Sequence, residues 1–246
     1  MHKPKFDISS AGLHILAMAF MFCDHLWATV VPGNEWLTCL GRLAFPIFAF
    51  MLVEGYFHTR NLKKYALRLL VFAVVSEIPF NLMLVSSPFF LFHQNVIWTF
   101  LIGLWMIHLN EKAKATGIMK VRLPVAAGTL FLGYVLGIMS FCDYNGAGVL
   151  MVLVFYFFRD RTPLSIAAQL AGMYYINFEM LKGLSYQVEL FGATRFIPQQ
   201  GFAILAMIPI LLYRGRKGYS AKWFQYLCYS FYPAHMLLLW LIRLLA

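Results

Sequence analysis

Nine apolar runs, separated by short hydrophilic gaps, fill almost the whole of the 246-residue sequence. A membrane-spanning helix needs about 20 mostly apolar residues. On that criterion the candidate spans are 11–31, 39–58, 66–86, 95–110, 122–139, 145–158, 163–180, 197–213 and 223–245. The short gaps leave no room for a separate soluble domain. The sequence therefore predicts an all-α fold, a polytopic transmembrane helix bundle of about nine spans that forms a single domain over 1–246.

The composition supports this reading. Hydrophobic residues make up 61% of the chain and charged residues 12%, whereas soluble domains contain about half apolar and a quarter charged residues. A soluble fold of this size could not bury so much apolar surface. We therefore expect a lipid bilayer as the surroundings of the chain.

Basic residues occupy alternate gaps. Sixteen of the 20 Lys and Arg residues precede the first run, lie in the gaps after the second, fourth, sixth and eighth runs, or lie within the first three residues of the run that follows such a gap. Because positively charged loops stay in the cytoplasm, the N-terminus is predicted to be cytoplasmic and the C-terminus outside. The net charge of +10 is explained by these basic loops, which orient the chain in the membrane. Nucleic-acid binding is therefore not expected.

The first run is expected to be a retained span, because it is too long for the apolar core of a cleaved signal and no small-residue cleavage site follows it. The four cysteines show no metal-binding spacing, so no metal site is expected. Free thiols are favoured over a disulfide between Cys39 and Cys142.

Ionisable side chains inside the spans are the strongest functional signal. Asp24, Glu54 and Glu77 lie within apolar runs, where each charge costs about 2.5–3.5 kcal/mol. They must face the interior of the bundle, and each needs a partner or a function. Adjacent helical residues point about 100° apart, so Asp24 and His25 cannot form a self-contained pair and each is expected to meet another helix.

The predicted orientation places most of the polar residues of the spans in the outer half of the bundle. They are Asp24, His25, Arg42, Glu77, Asn81, Asp143, Asn145 and Gln199, with Tyr232 and His235 near mid-depth in the last span. Glu77 and Asn81, four residues apart, share a helix face. We expect these side chains to form one cluster.

Several readings of these residues remain open. Arg42 can form a structural ion pair with Glu77 or Asp24, and Glu54 and His58 share a face near the cytoplasmic end of the second span, where both can reach water. His25 is of the residue type that most often acts as a general base. A proton relay in a transporter explains the same residue equally well.

The sequence resembles the TraX family of membrane proteins, which is linked to pilin acetylation. The longest matching run is GRLAFPIFAFMLVEGYFHTRNLKKYALRLLVFAVVSEIPFNL at 41–82, preceded by the Asp24-His25 pair. DYNGAGVLM at 143–151, YRGRKG at 213–218 and FYPAHMLLLWLI at 231–242 follow it. The resemblance touches nearly the whole chain and also implies a relation to the transmembrane acyltransferases.

The resemblance implies an acyl-CoA-dependent O- or N-acetyltransferase in the bacterial cytoplasmic (inner) membrane. It would move an acetyl group from cytoplasmic acetyl-CoA, its co-substrate, to an acceptor at the outer side. That acceptor would be a peptide N-terminus, a sugar or another small amine or alcohol. His25 would be the general base with Asp24 beside it, and His235 would be a second catalytic candidate.

The same resemblance assigns binding roles. Arg42, Glu77 and Asn81 would line the acceptor site, and the remaining polar residues of the outer half join them as candidates: Asp143, Asn145, Gln199 and Tyr232. The phosphates of CoA would meet the basic loop after the second span, and the pantetheine arm would run up the bundle. The candidates for cofactor contact are Glu54, His58, Arg60, Lys63, Lys64 and Arg68.

Two other functions stay open at this point. A proton-coupled secondary transporter would use Asp24, His25 and Glu77 as its proton path, although no inverted repeat is visible and nine spans divide poorly into two halves. A membrane scaffold without catalytic activity is the third reading.

Overall fold

The structure is a computed structural model that describes residues 7–190, 192–219 and 221–245. Lys3 and Lys5, which contribute to the predicted orientation, lie outside the described residues.

Each of the nine predicted spans coincides with a helix or with two consecutive helical segments. The α-helices of the described residues are α1 Ser10–Thr29, α2 Glu35–Gly41, α3 Ala44–His58, α4 Leu62–Val85, α5 Val96–Ala115, α6 Met119–Met139, α7 Asn145–Phe157, α8 Pro163–Tyr174, α9 Met207–Leu212 and α10 Lys222–Leu245. A π-helix, Tyr175–Leu181, continues α8, and a 3₁₀-helix, Gln199–Ala206, precedes α9.

The prediction of an all-α fold is incomplete, because a β-hairpin follows the π-helix. Strands β1 Ser185–Leu190 and β2 Ala193–Pro198 pair antiparallel. Gly192 has a φ of +76° between them, a conformation that glycine adopts without the strain a Cβ atom would cause. Tyr186 and Val188 alternate with polar residues in β1, and β2 contains Phe196 and Ile197; all four residue types favour strands.

The protein is a multi-pass membrane protein. Five helical stretches in the described residues are long and apolar enough to cross a membrane: Ser10–Thr29, Glu35–His58, Leu62–Val85, Met119–Met139 and Trp223–Leu245. The second of them comprises α2 and α3, which bend apart at Arg42 and Leu43. The count of nine spans and the orientation of the termini stay predictions.

The helices divide into a buried centre and a lipid-like surface. α3 and α7 are buried nearly all round, with Ile47, Val53 and Leu153 in the core. α4, α6 and α10 instead expose large apolar side chains such as Val74 and Phe131. A helix that is apolar all round is suited to a membrane, so this surface agrees with the membrane assignment.

The two ends of the bundle carry different chemistry. Loops 59–61, 116–118, 158–162 and 213–219 lie at one end, which we call the basic end because most Lys and Arg residues lie in or beside them. There Arg159 Nε donates to Glu54 Oε1 at 2.7 Å. The other end, the polar end, holds α2 and the start of α7.

Candidate functional site

Two histidines from the first and last long helices meet in the polar half of the bundle. His25 of α1 and His235 of α10 lie with Nδ1 of His25 2.7 Å from Nε2 of His235, and their rings are nearly parallel. Pro233 lies two residues before His235 within α10. The structure thus brings together two of the three residues predicted to be catalytic.

The hydrogen bonds of the pair assign its protons. Nδ1 of His235 lies 2.6 Å from the carbonyl oxygen of Phe231, so it carries a proton and donates. Nε2 of neutral His235 must then accept, and Nδ1 of His25 donates to it. The remaining ring nitrogen, Nε2 of His25, keeps a free lone pair. In the described part of the chain it has no hydrogen-bond partner.

Asp24 does not contact His25. Its Oδ1 accepts from Thr38 Oγ1 at 2.7 Å and pairs with Arg42 Nη2 at 3.2 Å. Arg42 also donates to Thr38 Oγ1 at 2.8 Å and to Gln200 Oε1 at 3.4 Å. Asp24 and Arg42 therefore join α1 to the bend between α2 and α3, which is the structural ion pair that the sequence left open.

Gly41 makes that junction possible. A Cβ atom at Gly41 would lie 2.3 Å from Cβ and 2.8 Å from Cα of Asp24. Because backbone atoms cannot withdraw as a flexible side chain can, glycine alone lets α2 approach α1 here. The position of Arg42, one residue later, follows from this contact.

Two cavities lie in series beside His25. A small cavity of about 50 Å³ is lined by His25, Asp24, Asp143, Tyr144 and Tyr232 among others. A large cavity of about 890 Å³ extends towards the basic end, between α1, α3, α4 and α10. The residues common to both linings are Met21, Phe48, Val96, Phe100 and Tyr232. We call these five the collar.

The large cavity reaches the loops of the basic end. Exposed Arg60, Arg68 and Lys217 line it there. Glu54 and His58 line the same cavity; Nδ1 of His58 donates to the carbonyl oxygen of Glu54 at 2.8 Å. Four of the six predicted cofactor contacts thus face one opening.

Lys63 and Lys64 do not line either cavity. Both lie in the first turn of α4 and are exposed. Asn61 caps this helix by accepting from the backbone N–H of Lys64 at 2.9 Å. Arg68, rather than either lysine, lines the large cavity.

Glu77 and Asn81 are not brought to His25. Glu77 Oε2 accepts from Trp98 Nε1 at 3.0 Å and from the side chain of Asn95. These bonds link α4 to the start of α5. Asn81 is buried on the same helix and, like Glu77, lines neither cavity.

The predicted polar residues Asp143, Asn145 and Gln199 have three different surroundings. Asp143 lines the small cavity, and its Oδ1 lies 3.4 Å from Nε2 of His93. Asn145 is exposed at the start of α7. Gln199 donates to Glu35 Oε2 at 3.3 Å and to the hydroxyl of Tyr186 at 3.0 Å, so it holds the hairpin against α2.

Several residues at the site were not predicted from the sequence. Gln200, rather than its neighbour Gln199, reaches Arg42, and Thr38 bridges Asp24 and Arg42. Tyr144 lines the small cavity and stacks on Phe45 with ring centroids 4.0 Å apart. Thr38, four residues before Arg42, carried a signal, since that spacing puts both on one helix face.

Outside the long apolar helices, His93 and Tyr186 at the polar end are among the groups with shifted pKa values. The hydrogen bond to Asp143 raises the pKa of His93 above its ordinary value of 6.5. Burial raises the pKa of Tyr186, and its hydrogen bonds with Cys39 and Glu35 add to the effect. Both shifts arise from contacts that tie loops of the polar end to the helices.

The proton path required by a transporter is not continuous. Asp24 is bound by Thr38 and Arg42, and Glu77 by Asn95 and Trp98. Neither carboxylate is hydrogen-bonded to His25 in the described residues. All four cysteines are free, as predicted, and no group of three or more His, Cys, Asp or Glu side chains in the described residues could hold a metal ion.

Comparison with known proteins agrees with the resemblance read from the sequence. The family described as TraX protein matches residues 9–243. A curated relative, the probable fimbrial assembly protein FimC of serogroup H1 from Dichelobacter nodosus, is 28% identical over 249 residues, which cover 95% of this chain and 95% of the relative. No solved structure matches. The resemblance to TraX proteins is confirmed over all the stretches that carried it.

Proposed function

Since this chain belongs to the TraX family, we propose that it is a membrane acetyltransferase of the bacterial cytoplasmic membrane that uses acetyl-CoA. It moves the acetyl group from the cytoplasmic side to an amine or hydroxyl acceptor at the outer side. In this proposal the basic end of the bundle is cytoplasmic and the polar end faces outward.

One observation carries the proposal. The ring nitrogen of His25 that holds a free lone pair belongs to a residue lining the small cavity, and the five collar residues line both that cavity and the large one that reaches the basic end. A candidate general base, a small cavity for the reacting group and a large cavity for a long donor therefore lie next to one another. A scaffold needs none of these three.

The reaction needs one proton acceptor, which is Nε2 of His25. The acceptor's oxygen or nitrogen attacks the carbonyl carbon of the thioester while its proton passes to His25. The carbon–sulfur bond then breaks, and the departing thiolate takes the proton from His25. Atoms and charge balance, and neutral His25 is regenerated without a further reactant.

His235 acts as a positioning residue. Its Nδ1 donates to the carbonyl oxygen of Phe231. Its Nε2 therefore accepts a hydrogen bond from the N–H at Nδ1 of His25. This contact selects the tautomer in which Nε2 of His25 is the base, the task that a carboxylate performs in a Ser-His-Asp triad. Asp24 has a different task, since it fixes Arg42 and the bend that shapes the cavity.

The developing oxyanion needs donors within the small cavity. Arg42, Asn81 and Gln199 do not line it, whereas the side chains of Tyr144 and Tyr232 do. A phenol O–H donates to an oxyanion at the distance of an ordinary hydrogen bond. We assign oxyanion stabilisation to these two tyrosines.

The donor enters from the basic end. Arg60 and Arg68 from one side and Lys217 from the other surround the opening of the large cavity, and such groups bind phosphates by charge-assisted hydrogen bonds. The pantetheine arm then follows the large cavity to the collar. The acceptor approaches from the polar end, where the side chain of Asp143 is partly exposed and also lines the small cavity.

The test uses inverted membrane vesicles of the bacterium that makes the protein, which expose the cytoplasmic face and contain the natural acceptor. A strain lacking the gene is complemented with wild-type protein or with His25→Ala, and the vesicles receive acetyl-CoA labelled in the acetyl group. Label is expected in a non-CoA product with wild-type protein and absent with His25→Ala.

His108→Ala is the matched control. His108 lies near the basic end, contacts the hydroxyl of Tyr56 at 3.3 Å and lines neither cavity, so this variant is expected to support labelling. Wild-type labelling in the His25→Ala vesicles, at equal protein level, contradicts the proposal. Uptake of a solute driven by a pH gradient without acetyl-CoA favours a transporter instead.

A further inference from the structure

The collar lies between the two cavities of the proposed donor path, since its five residues line both. The two cavities differ strongly in size, about 890 Å³ on the donor side and about 50 Å³ around His25. Of the five residues that line both, Phe48, Phe100 and Tyr232 are aromatic. An acyl group that reaches His25 must pass between these rings and then fit the smaller space.

The small cavity admits only a small acyl group. A water-sized group needs about 10–15 Å³ of such volume, so about 50 Å³ holds about four groups of that size. An acetyl group has three non-hydrogen atoms and fits. A butyryl group has five, and its chain would keep the carbonyl carbon away from His25.

The aromatic side chains on one side of the small cavity are closely packed and resist displacement. Phe45 is 3% exposed and stacks on Tyr144 at 4.0 Å and on Phe100 at 5.7 Å between ring centroids. Any expansion would have to separate these stacked rings in the centre of the bundle. Close-packed interiors resist such changes, and inserted methylenes typically cost about 1–3 kcal/mol.

Phe48 is one of three collar residues that are partly exposed, with Val96 and Tyr232, whereas Met21 and Phe100 are buried. Its neighbours Ile47 and Ala49 on α3 are fully buried, whereas Phe48 is partly exposed because it borders the cavities. Removing its ring enlarges the space at the collar and leaves both rings of the Phe45–Tyr144 stack in place.

We infer that the collar and the small cavity limit the donor to short acyl thioesters, and that Phe48 is a specificity-determining residue of this limit. The inference rests on the proposed function, since it concerns the acyl group brought to His25. Beyond the proposed function, the inference concerns the length of the acyl chain that the donor can carry. The space between the collar and Tyr144 sets this length.

The test compares acetyl-, propionyl- and butyryl-CoA, each labelled at the carbonyl carbon, in the inverted vesicles described above. Wild-type protein is expected to transfer acetyl at least about tenfold faster than butyryl, because one methylene in a tight apolar site changes rates about 10- to 200-fold. In Phe48→Ala the acetyl-to-butyryl ratio is expected to fall at least about tenfold.

Phe72→Ala is the matched control. Phe72 lines only the large cavity, where its ring stacks on Tyr229 with centroids 4.9 Å apart. Its removal enlarges the donor side and leaves the collar intact, so the acetyl-to-butyryl ratio should stay at the wild-type value. Phe48→Leu, which keeps an apolar side chain and removes only the ring, serves if Phe48→Ala does not accumulate in the membrane.

Four results would contradict the acyl limit, the role of the collar or the proposed function. Equal transfer of acetyl and butyryl by wild-type protein overturns the limit, and so does an unchanged ratio in both Phe48 variants when acetyl transfer persists. A fall in the ratio with Phe72→Ala as large as with Phe48→Ala removes the collar from the explanation. No transfer of any acyl group by wild-type protein refutes the proposed function itself, and the acyl limit with it.

Discussion

Nδ1 of His25 lies 2.7 Å from Nε2 of His235, although 210 residues separate them in the sequence. The contact joins the first long helix to the last. It also fixes which nitrogen of His25 is free, because His235 itself is held by the carbonyl oxygen of Phe231. In the proposed mechanism, a second imidazole takes the place of the carboxylate that usually orients a catalytic histidine.

His235→Ala should slow acetyl transfer without abolishing it. The variant keeps the base on His25 and loses the group that selects its tautomer, so we expect a smaller loss than the roughly 10²–10⁴-fold that removal of a general base causes. His235→Gln places an amide oxygen near the former Nε2 and should recover part of the rate. The measurement is label transfer in inverted vesicles, compared with His25→Ala.

A purely structural role for His235 predicts another pattern. His235→Gln would then lower the thermal stability of the purified protein as much as His235→Ala does, and the rates would follow the folded fraction. Rescue of the rate by glutamine at unchanged stability separates the two roles.

Gly41→Ala should destabilise the protein. The new Cβ atom would lie 2.3 Å from Cβ of Asp24, so α2 must move away from α1, at a cost of about 1–3 kcal/mol. The measurement is thermal unfolding of the protein in detergent. Gly128→Ala is the control, because a Cβ atom there meets nothing within 4 Å and alanine favours a helix more than glycine does. Similar unfolding temperatures for both variants would contradict the close packing at Gly41.

The single variant Asp24→Asn should lower the free energy of unfolding more than the double variant does, in which Asp24→Asn is combined with Arg42→Gln. The single change leaves the charge of Arg42 without its carboxylate in a partly buried place. The expected loss lies between about 1 kcal/mol for an exposed pair and about 3–5 kcal/mol for a fully buried one. A double-mutant cycle on unfolding measures it, and strictly additive losses would show that Asp24 and Arg42 do not interact.

Replacement of Arg60 or Arg68 should weaken binding of acetyl-CoA, whereas replacement of Lys63 or Lys64 should not. The two arginines line the large cavity and the two lysines do not. Loss of one charge-assisted hydrogen bond of about 1.5 kcal/mol raises Kd about tenfold. Equilibrium binding of labelled acetyl-CoA to the purified single alanine variants tests this, and equal losses for all four would favour a diffuse charge effect over a defined opening.

The His93–Asp143 contact should make stability depend on pH. The bond raises the pKa of His93 in the folded protein above 6.5, so its contribution to stability is complete below that pH and is lost as the pH rises through the folded pKa. His93→Gln should therefore unfold at a lower temperature than wild type at about pH 5.5, with the difference shrinking towards about pH 8.5. A difference that grows with pH would show that the neutral imidazole, rather than the charged form, makes the stabilising contact.

The predictable part of this protein follows from local rules. Hydropathy located all nine helical stretches within a few residues, because a segment in lipid must satisfy its own backbone hydrogen bonds and therefore forms a helix. The hairpin at 185–198 was missed, since it lies between the apolar runs and its strands are short. Asp24, His25, Arg42 and His235 were identified by the cost of burying polar groups, which requires no knowledge of helix packing.

Contacts between helices could not be predicted from the sequence by these local rules. Glu77 and Asn81 were expected beside His25 because they lie at a similar depth, yet Glu77 bonds to the start of α5 and neither residue lines a cavity. Gln199 and Gln200 were indistinguishable by depth, and only the geometry of the 3₁₀-helix decides that Gln200 reaches Arg42. Depth is a property of the sequence position, whereas direction depends on the rotation of each helix in the bundle.

The sequence by itself determined that the chain is a multi-pass membrane protein of the TraX family and that a few charged and imidazole groups must lie inside it. Only the tertiary structure decided their partners: Asp24 with Arg42, and His25 with His235. The reason is physical. Hydrophobicity acts without direction, so it specifies which residues leave water, while hydrogen bonds and close contacts such as that of Gly41 with Asp24 depend on the exact approach of two helices far apart in the chain.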